Sequence, residues 1–323
     1  MSSLRTRNNR VVALCGGVGG AKLAYGLARI LRSDLTVIVN TGDDFEHLGL
    51  MISPDIDTVI YTLGRRADRE RGWGRTGESW RFMEALDELG GETWFRLGDL
   101  DLAMHVLRTR DRQAGRSLTA ITTEIAERFG IAATILPVSD HPVRTIVETP
   151  DGDLPFQRYF VEQRCIPRVT GVRLECAANT DTTAQVRRAF GAPGLRGVVI
   201  CPSNPYLSID PILAVPGMLA LLKVTMVPIV AVSPIIGGAA VKGPTTKIMK
   251  ELELPATQHS IFQHYAGLID GLVIDEADRA ERGLTGVAVK VTRTLMEDEV
   301  DREQLAHDVL QFIDEIAGEA KAP

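Results

Sequence analysis

The sequence predicts an α/β protein built on a mainly parallel sheet covered by helices on both faces. Three observations lead there. Continuous apolar, β-branched runs recur along the chain, as expected of strands buried on both sides. Helical patterns separate those runs, which favours parallel pairing through crossover connections. The first run, residues 11–14, breaks into Gly16, Gly17, Gly19 and Gly20, then Lys22 opens a helix-like stretch. A strand, a glycine loop and a helix N-terminus in succession make an anion cradle, because backbone N–H groups and the positive end of the helix dipole face one spot.

Residues 1–10 read as a disordered tail and 11–323 as one domain. LTVIVN (35–40) is the second buried strand. Residues 79–89 put Phe82, Met83, Leu86 and Leu89 on one helical face. Ser117 is placed as the N-cap of a helix that buries Leu118, Ile121, Ile125 and Phe129 and ends at Gly130. ATILPV (133–138), RTIVET (144–149) and LPFQRYFVEQ (154–163) are short runs divided by Pro, Asp and Gly, so residues from about 130 to 195 read as a smaller inserted lobe of antiparallel or mixed character. The α/β rhythm returns with RGVVICPSNP (196–205), VPIVAVSPIIGG (227–238) and GLVIDE (271–276). A charged amphipathic helix at 301–320, burying Leu305, Val309, Phe312 and Ile316, closes the chain.

With 323 residues, 45% of them hydrophobic, the chain can bury a large core. Its formal charge of −6 opposes a general role on nucleic acid or membrane surfaces, which reward a net basic face. No apolar run approaches ~20 residues and the first residues lack a signal-peptide apolar stretch, so a cytoplasmic protein is expected. Cys15, Cys165, Cys176 and Cys201 form no CxxC pair, which opposes zinc and a disulfide framework and favours buried free thiols.

In an open parallel sheet the ligand crevice lies beyond the carboxyl ends of the strands. Five segments just past the apolar runs are rich in small and polar residues: the glycine loop, NTGDD (40–44), PSNP (202–205), SPIIGG (233–238), and Asp275 with Glu276. The glycine spacing matches neither common phosphate motif. A P-loop needs Lys directly after its last Gly, where Ala21 intervenes, and the dinucleotide fingerprint needs a small residue where Lys22 stands. A turn at Gly42 and Asp43, with helix caps at Asp44, Asp55 or Asp57, would account for these acids structurally. SPDIDT (53–58), however, adds a second carboxylate pair close behind the first, and carboxylates beside a diphosphate usually share a bridging Mg²⁺. Arg65, Arg66, Arg69, Arg71 and Arg75 surround Gly72, Trp73 and Gly74, either as a solvated surface or as a loop that closes over an anionic ligand.

No GxSxG and no Cys or Ser beside a His at motif spacing supports covalent acyl chemistry. Direct transfer of a phosphorus group between two bound substrates needs only positioning and charge neutralisation, which these loops supply. An NAD(P)-linked dehydrogenase would carry an acid at the tip of the second strand, where Asn40 stands.

Taken together and in order, GGVGGAKLAYGL, VNTGDD, ISPDIDTVIYTL, LGDLDLAMH, LPVSDHPVRTIVET, PSNPYLSIDPILAVPGM and VAVSPIIGGAAVKGP resemble the 2-phospho-L-lactate transferase family of deazaflavin coenzyme F-420 biosynthesis, over residues 11–279. The resemblance implies a Rossmann-like, three-layer α/β/α fold and a Mg²⁺-dependent transferase with two small-molecule substrates. In it, the ribityl hydroxyl of the deazaflavin alcohol Fo attacks the distal phosphorus of a guanylylated phospholactate or phosphoenolpyruvate, and GMP leaves. Carried onto this sequence, Gly16, Gly17, Gly19, Gly20 and Lys22 would hold the donor nucleotide together with Ser203, Asn204, Ser233 and Gly237. Asp57 and Arg96 would bind Fo, while Asp43, Asp44 and Asp57 would hold Mg²⁺ or orient the hydroxyl. Leu100 departs from the family, which commonly has a basic residue between the two aspartates of this motif. A homodimer is implied by the family and by the prevalence of symmetric assemblies. The rival is a non-catalytic, nucleotide-sugar-binding metabolic regulator on the same fold, which should lack the SPDxDT and GDLD motifs present here.

Overall fold

The computed structural model of the chain describes residues 9–241 and 243–319. Its frame is a seven-stranded sheet in which every neighbouring pair is parallel. The strands are β1 (Arg10–Cys15), β2 (Leu35–Val39), β3 (Thr134–Pro137), β4 (Leu195–Ile200), β5 (Ile229–Val232), β6 (Gly271–Ile274) and β7 (Ala288–Val291). In space they run β3-β2-β1-β4-β5-β6-β7. The chain therefore begins in the middle, builds one edge, and returns past its own start to build the other. Where the order reverses, between β1 and β4, the crossovers diverge to opposite sides and open a crevice at the strands' carboxyl ends.

Alternate residues of β1 show why there are three layers. Val11, Ala13 and Cys15 pack on one side against α1 (Gly17–Leu31), α2 (Pro54–Leu63) and the C-terminal helix (Glu299–Glu319), through Leu23, Ile56 and Val309. Val12 and Leu14 point the other way, into a cluster with Ile209, Met218 and Ile261. With both faces buried, the strand needs no polar alternation, which is why it reads as an unbroken apolar run.

Several elements depart from the expectation. ATILPV does not begin the inserted lobe. It supplies β3, the sheet's edge, paired with β2 from Thr36↔Thr134 to Val39↔Pro137, with Ile135 and Leu136 buried in opposite clusters. The chain leaves the sheet only after Pro137 and returns at Leu195; in between, Val143–Glu148 pairs antiparallel with Leu154–Pro155 and Gly171–Cys176. The 154–163 run yields two strand residues before a helical turn at Arg158–Glu162.

Helix α3 (Arg81–Glu88) buries Met83 but ends before Leu89, which is 85% exposed. Helix α4 (Asp99–Gln113) starts on the GDLD motif, and Ser117 Oγ accepts from the Ala120 N–H at 3.1 Å to cap α5 (Leu118–Arg128), as expected. Residues 1–8 of the expected tail, and Ala320 of the expected last helix, lie outside the described residues, whereas Arg10 opens β1. Cys15 and Cys201 are buried, but Cys176 is exposed. Among the described residues, no single helix is long and apolar enough to cross a membrane.

The C-terminal helix lies so close to α1 that a Cβ at Gly26 would overlap the Arg302 carbonyl oxygen. Gly26→Val should therefore force the two helices apart and cost about 1–3 kcal/mol. A lowered denaturation midpoint at unchanged m-value would record it; an unchanged midpoint would contradict this packing.

Candidate active site

The turn after β1 passes directly into α1. Gly16 is the extended N-cap, and Gly17, at φ +65°, begins the helix in a backbone region that favours glycine. Two side chains clamp this turn. Ser203, just past β4, donates from Oγ to the Gly16 carbonyl at 2.7 Å and accepts from the Gly16 N–H at 3.1 Å. Asp55, in the first turn of α2, accepts from the Gly17 N–H at 2.7 Å and from the Asn40 amide at 2.8 Å. A Cβ at Gly20 would overlap Ser203 Oγ, so the close approach of α1 to the end of β4 requires glycine there. Because Asp55 takes the Gly17 N–H, the donors left for a ligand are the next N–H groups of the first helical turn, at Val18 and Gly19. Lys22 stands beside them and donates from Nζ to the Met296 carbonyl at 2.6 Å.

A cleft of about 490 Å³ opens over this turn. It collects residues from beyond the ends of several strands, bringing together Gly16, Gly17, Gly19, Lys22, Asp43, Asp57, Arg96, Ser203, Asn204 and Ser233. Three expected site residues do not line it. Gly20 is packed beneath, against Ser203. Gly237 donates its N–H to both carboxylate oxygens of Asp278, at 3.1 and 3.0 Å, which turns it away. Asp44 faces a separate cavity of about 110 Å³, together with Arg112 and Arg144. The rim past β6 also differs, since Asp275 is engaged by the Ala277 and Thr294 N–H groups, and Thr294, Leu295 and Met296 after β7 line the cleft instead.

The acids differ sharply in how their charge is met. Asp43 is buried, its Oδ1 has no hydrogen-bond partner, and burial, reinforced by nearby Asp55, holds its carboxyl well above the usual carboxylate range. Asp44 accepts from Ser53 Oγ at 2.9 Å, yet burial outweighs that bond and the Arg108 and Arg144 charges, pushing it to about 8. Asp57 has a dedicated counterion. Arg108, 1% exposed, grips both of its oxygens, with Nη1 at 3.1 Å from Oδ2 and Nη2 on Oδ1. The same Nη1 is 3.2 Å from His105 Nδ1, His105 Nε2 is 3.2 Å from Asp101 Oδ2, and the Tyr61 hydroxyl donates to Asp101 Oδ1 at 2.5 Å.

Asp101, His105 and Arg108 fall at i, i+4 and i+7 of α4, hence on one face of it. Their signal in the sequence was that spacing within DLDLAMHVLR, but polar residues at helical spacing look like a solvated face until a partner helix covers them. Here α2 covers them with Asp57 and Tyr61.

Asp57, Asp101 and His105 each bring one ligand atom within 4.8 Å of the others, a group able to hold a metal ion. Arg108 already occupies Asp57 and the Tyr61 hydroxyl occupies Asp101, and an imidazole suits transition metals better than Mg²⁺, which prefers oxygen ligands. The partnerless oxygen of Asp43, in the cleft and beside Asp55, fits a hard divalent cation better.

A family model described as 2-phospho-L-lactate transferase CofD matches residues 11–315. The chain belongs to that family. The 2-phospho-L-lactate transferase of Methanosarcina acetivorans is 39% identical, over 95% of this chain and 100% of that protein. The phosphoenolpyruvate transferase of Streptomyces griseus is 37% identical, over 95% of this chain and 99% of that one. A crystal structure of a UPF0052 family protein from Bacillus halodurans shares the fold, with a TM-score of 0.63 and 16% identity over 94% of this chain and 98% of that chain. The cleft of this CofD-type transferase is lined both by the glycine turn at the start of α1 and by the carboxylates of Asp43 and Asp57.

Asp44 offers a pH test of the burial argument. Its carboxyl is raised in the folded state, so stability is fully present below about pH 4 and declines as pH rises toward 8, where the proton must leave a buried oxygen. Asp44→Asn should therefore gain on the wild type between pH 5 and pH 8, each kcal/mol of gap shifting Tm by roughly 1–2 °C. Thermal melts at the two pH values, without divalent cations, check this; parallel curves would contradict it.

Proposed function

We propose that this transferase moves a phospholactyl or phosphoenolpyruvyl group from a guanylylated diphosphate donor to the terminal ribityl hydroxyl of Fo, releasing GMP. The observation that carries this reading is the pairing, within one cleft, of a helix N-terminal cradle with two unlike carboxylates. One, Asp43, has a buried oxygen with no partner, and the other, Asp57, is held in place by Arg108. Relatives named for phospholactate and for phosphoenolpyruvate, at similar identity, support the donor class.

Forming a phosphodiester by displacement requires that the diphosphate charge be met and that the attacking oxygen lie in line with the bond that breaks. The Val18 and Gly19 N–H groups and Lys22 take phosphate oxygens of the donor. Asn204 accepts from the Tyr206 and Leu207 N–H groups at 3.0 and 3.2 Å, which leaves its buried Nδ2 as a donor toward the nucleotide. Asp43 would hold Mg²⁺, and the bound ion would supply charge neutralisation at the reacting phosphorus. Asp57 accepts the hydrogen bond of the attacking hydroxyl and receives its proton as the new O–P bond forms, while GMP departs with the electron pair of the broken bond. Arg108 makes this possible by keeping the Asp57 carboxylate oriented in a buried site. A nucleotide-sugar-binding regulator would need the cradle but not the carboxylate wall.

Purified protein with Mg²⁺, Fo and guanylylated phospholactate or phosphoenolpyruvate should release GMP and form the Fo phosphodiester, read by mass spectrometry. Donor binding without GMP release from either donor would overturn the proposal in favour of the regulator. Asp57→Asn, which keeps an acceptor for Arg108, should lower kcat by roughly 10²-fold with an unchanged circular dichroism spectrum. A normal kcat would remove Asp57 from the proton path.

A further inference from the structure

The arginine-rich strap between α2 and α3 takes no part in the steps above, and its charges are largely engaged within the protein. Arg65 donates to the Tyr25 hydroxyl at 2.9 and 2.8 Å and to Glu299 at 2.8 Å, and Arg69 pairs with the same carboxylate. Arg71 pairs with Asp68 at 2.8 Å and donates to the Arg75 carbonyl at 2.8 Å, while Arg66 lies 4.5 Å from the Phe129 ring. Thr76 N–H closes the base of the strap on the Arg66 carbonyl at 2.7 Å. Such a strap is built as an anchored support rather than as an anion clamp.

What it supports is an indole. Gly72 and Gly74, at φ +73° and +71°, flank Trp73 at the tip, and Trp73 lines the cleft while remaining 46% exposed. The Arg71 guanidinium lies 5.5 Å from the Trp73 ring and 4.8 Å from Trp80, and Arg96 lies 4.3 Å from Trp80 on its own account. Arg71 lies over the Trp73 ring and Trp80 meets it edge-on, with ring centroids 6.2 Å apart, so the indole is held at a fixed angle while it lines the cleft. A large aromatic held at a fixed angle and left half-exposed recovers its missing burial when a flat ring stacks on it. Trp80, which touches both Trp73 and Arg96, ties the indole to the Arg96 side of the cleft.

We propose that Trp73 is the stacking platform for the acceptor's planar fused heteroaromatic ring, with Arg71 as the residue that positions the indole. This rests on the acceptor proposed above. The ring's position on Trp73 leaves its flexible hydroxyl-bearing chain to extend toward Asp57, and the donor's phosphates stay on α1.

Fo affinity, read by titrating its fluorescence, and KM for each substrate should be measured in the wild type, Trp73→Ala and Trp73→Phe. Because Trp73 is a half-exposed tip residue, the alanine variant should fold normally. It should weaken Fo binding and raise the Fo KM by roughly tenfold, with donor KM within about twofold and Trp73→Phe restoring most of the loss. An active Trp73→Ala enzyme with unchanged Fo KM overturns this proposal and leaves the transferase reading standing. A rise confined to the donor KM overturns it by placing guanine on Trp73. A wild type that does not bind Fo overturns both.

Discussion

The Ser203 hydroxyl, which both donates to and accepts from the backbone of Gly16, is the contact on which the site depends. It ties the end of β4 to the turn between β1 and α1, at the one place in the sheet where the strand order reverses. Ordinary side chains would hold these segments apart, so the tie forms only because Gly20 has no Cβ to meet the serine. Asp55 completes the clamp from the opposite side and sets α2 against the same turn through Gly17 and Asn40. Once α2 is seated, Asp57 is carried two residues further along the same helix into the cleft.

The cleft's acids illustrate how burial sorts chemically identical groups. Desolvation raises the carboxyls of Asp43, Asp44 and Asp57 alike. Only Asp57 receives a buried guanidinium, and removing one partner of such a pair leaves an uncompensated charge worth several kcal/mol. Asp43 and Asp44 each keep one oxygen without a partner, but only that of Asp43 lies in the cleft where a diphosphate-bound cation could reach it. Asp44, one residue along, turns into a different cavity and ties down Ser53, the N-cap of α2. Adjacent aspartates thus divide into a cleft residue and a supporting residue at a tight turn, closed by the Asp44 N–H on the Thr41 carbonyl at 3.2 Å.

The parallel sheet, the glycine turn and the cleft-lining residues Ser203, Asn204 and Ser233 were legible because strand ends and glycine loops are local patterns. The edge strand β3 was not, since four residues ending in proline look alike whether they pair with β2 or begin an insertion. Strand β7 hid for a similar reason, as Lys290 interrupts a four-residue apolar run. The Asp57–Arg108 pair spans 51 residues and two helices, and nothing near either residue announces the other.

The sequence by itself determined the five central strands of the sheet, the glycine turn and the ordered motifs that mark a CofD-family transferase, because each depends on residues within one strand, turn or helix. Tertiary structure decided which carboxylate faces the cleft, which is paired, and which arginines of the strap are engaged. Those outcomes depend on burial and on partners distant in sequence. A carboxylate's charge state and an arginine's availability are properties of the surroundings, which exist only after α2, α4 and the C-terminal helix have packed.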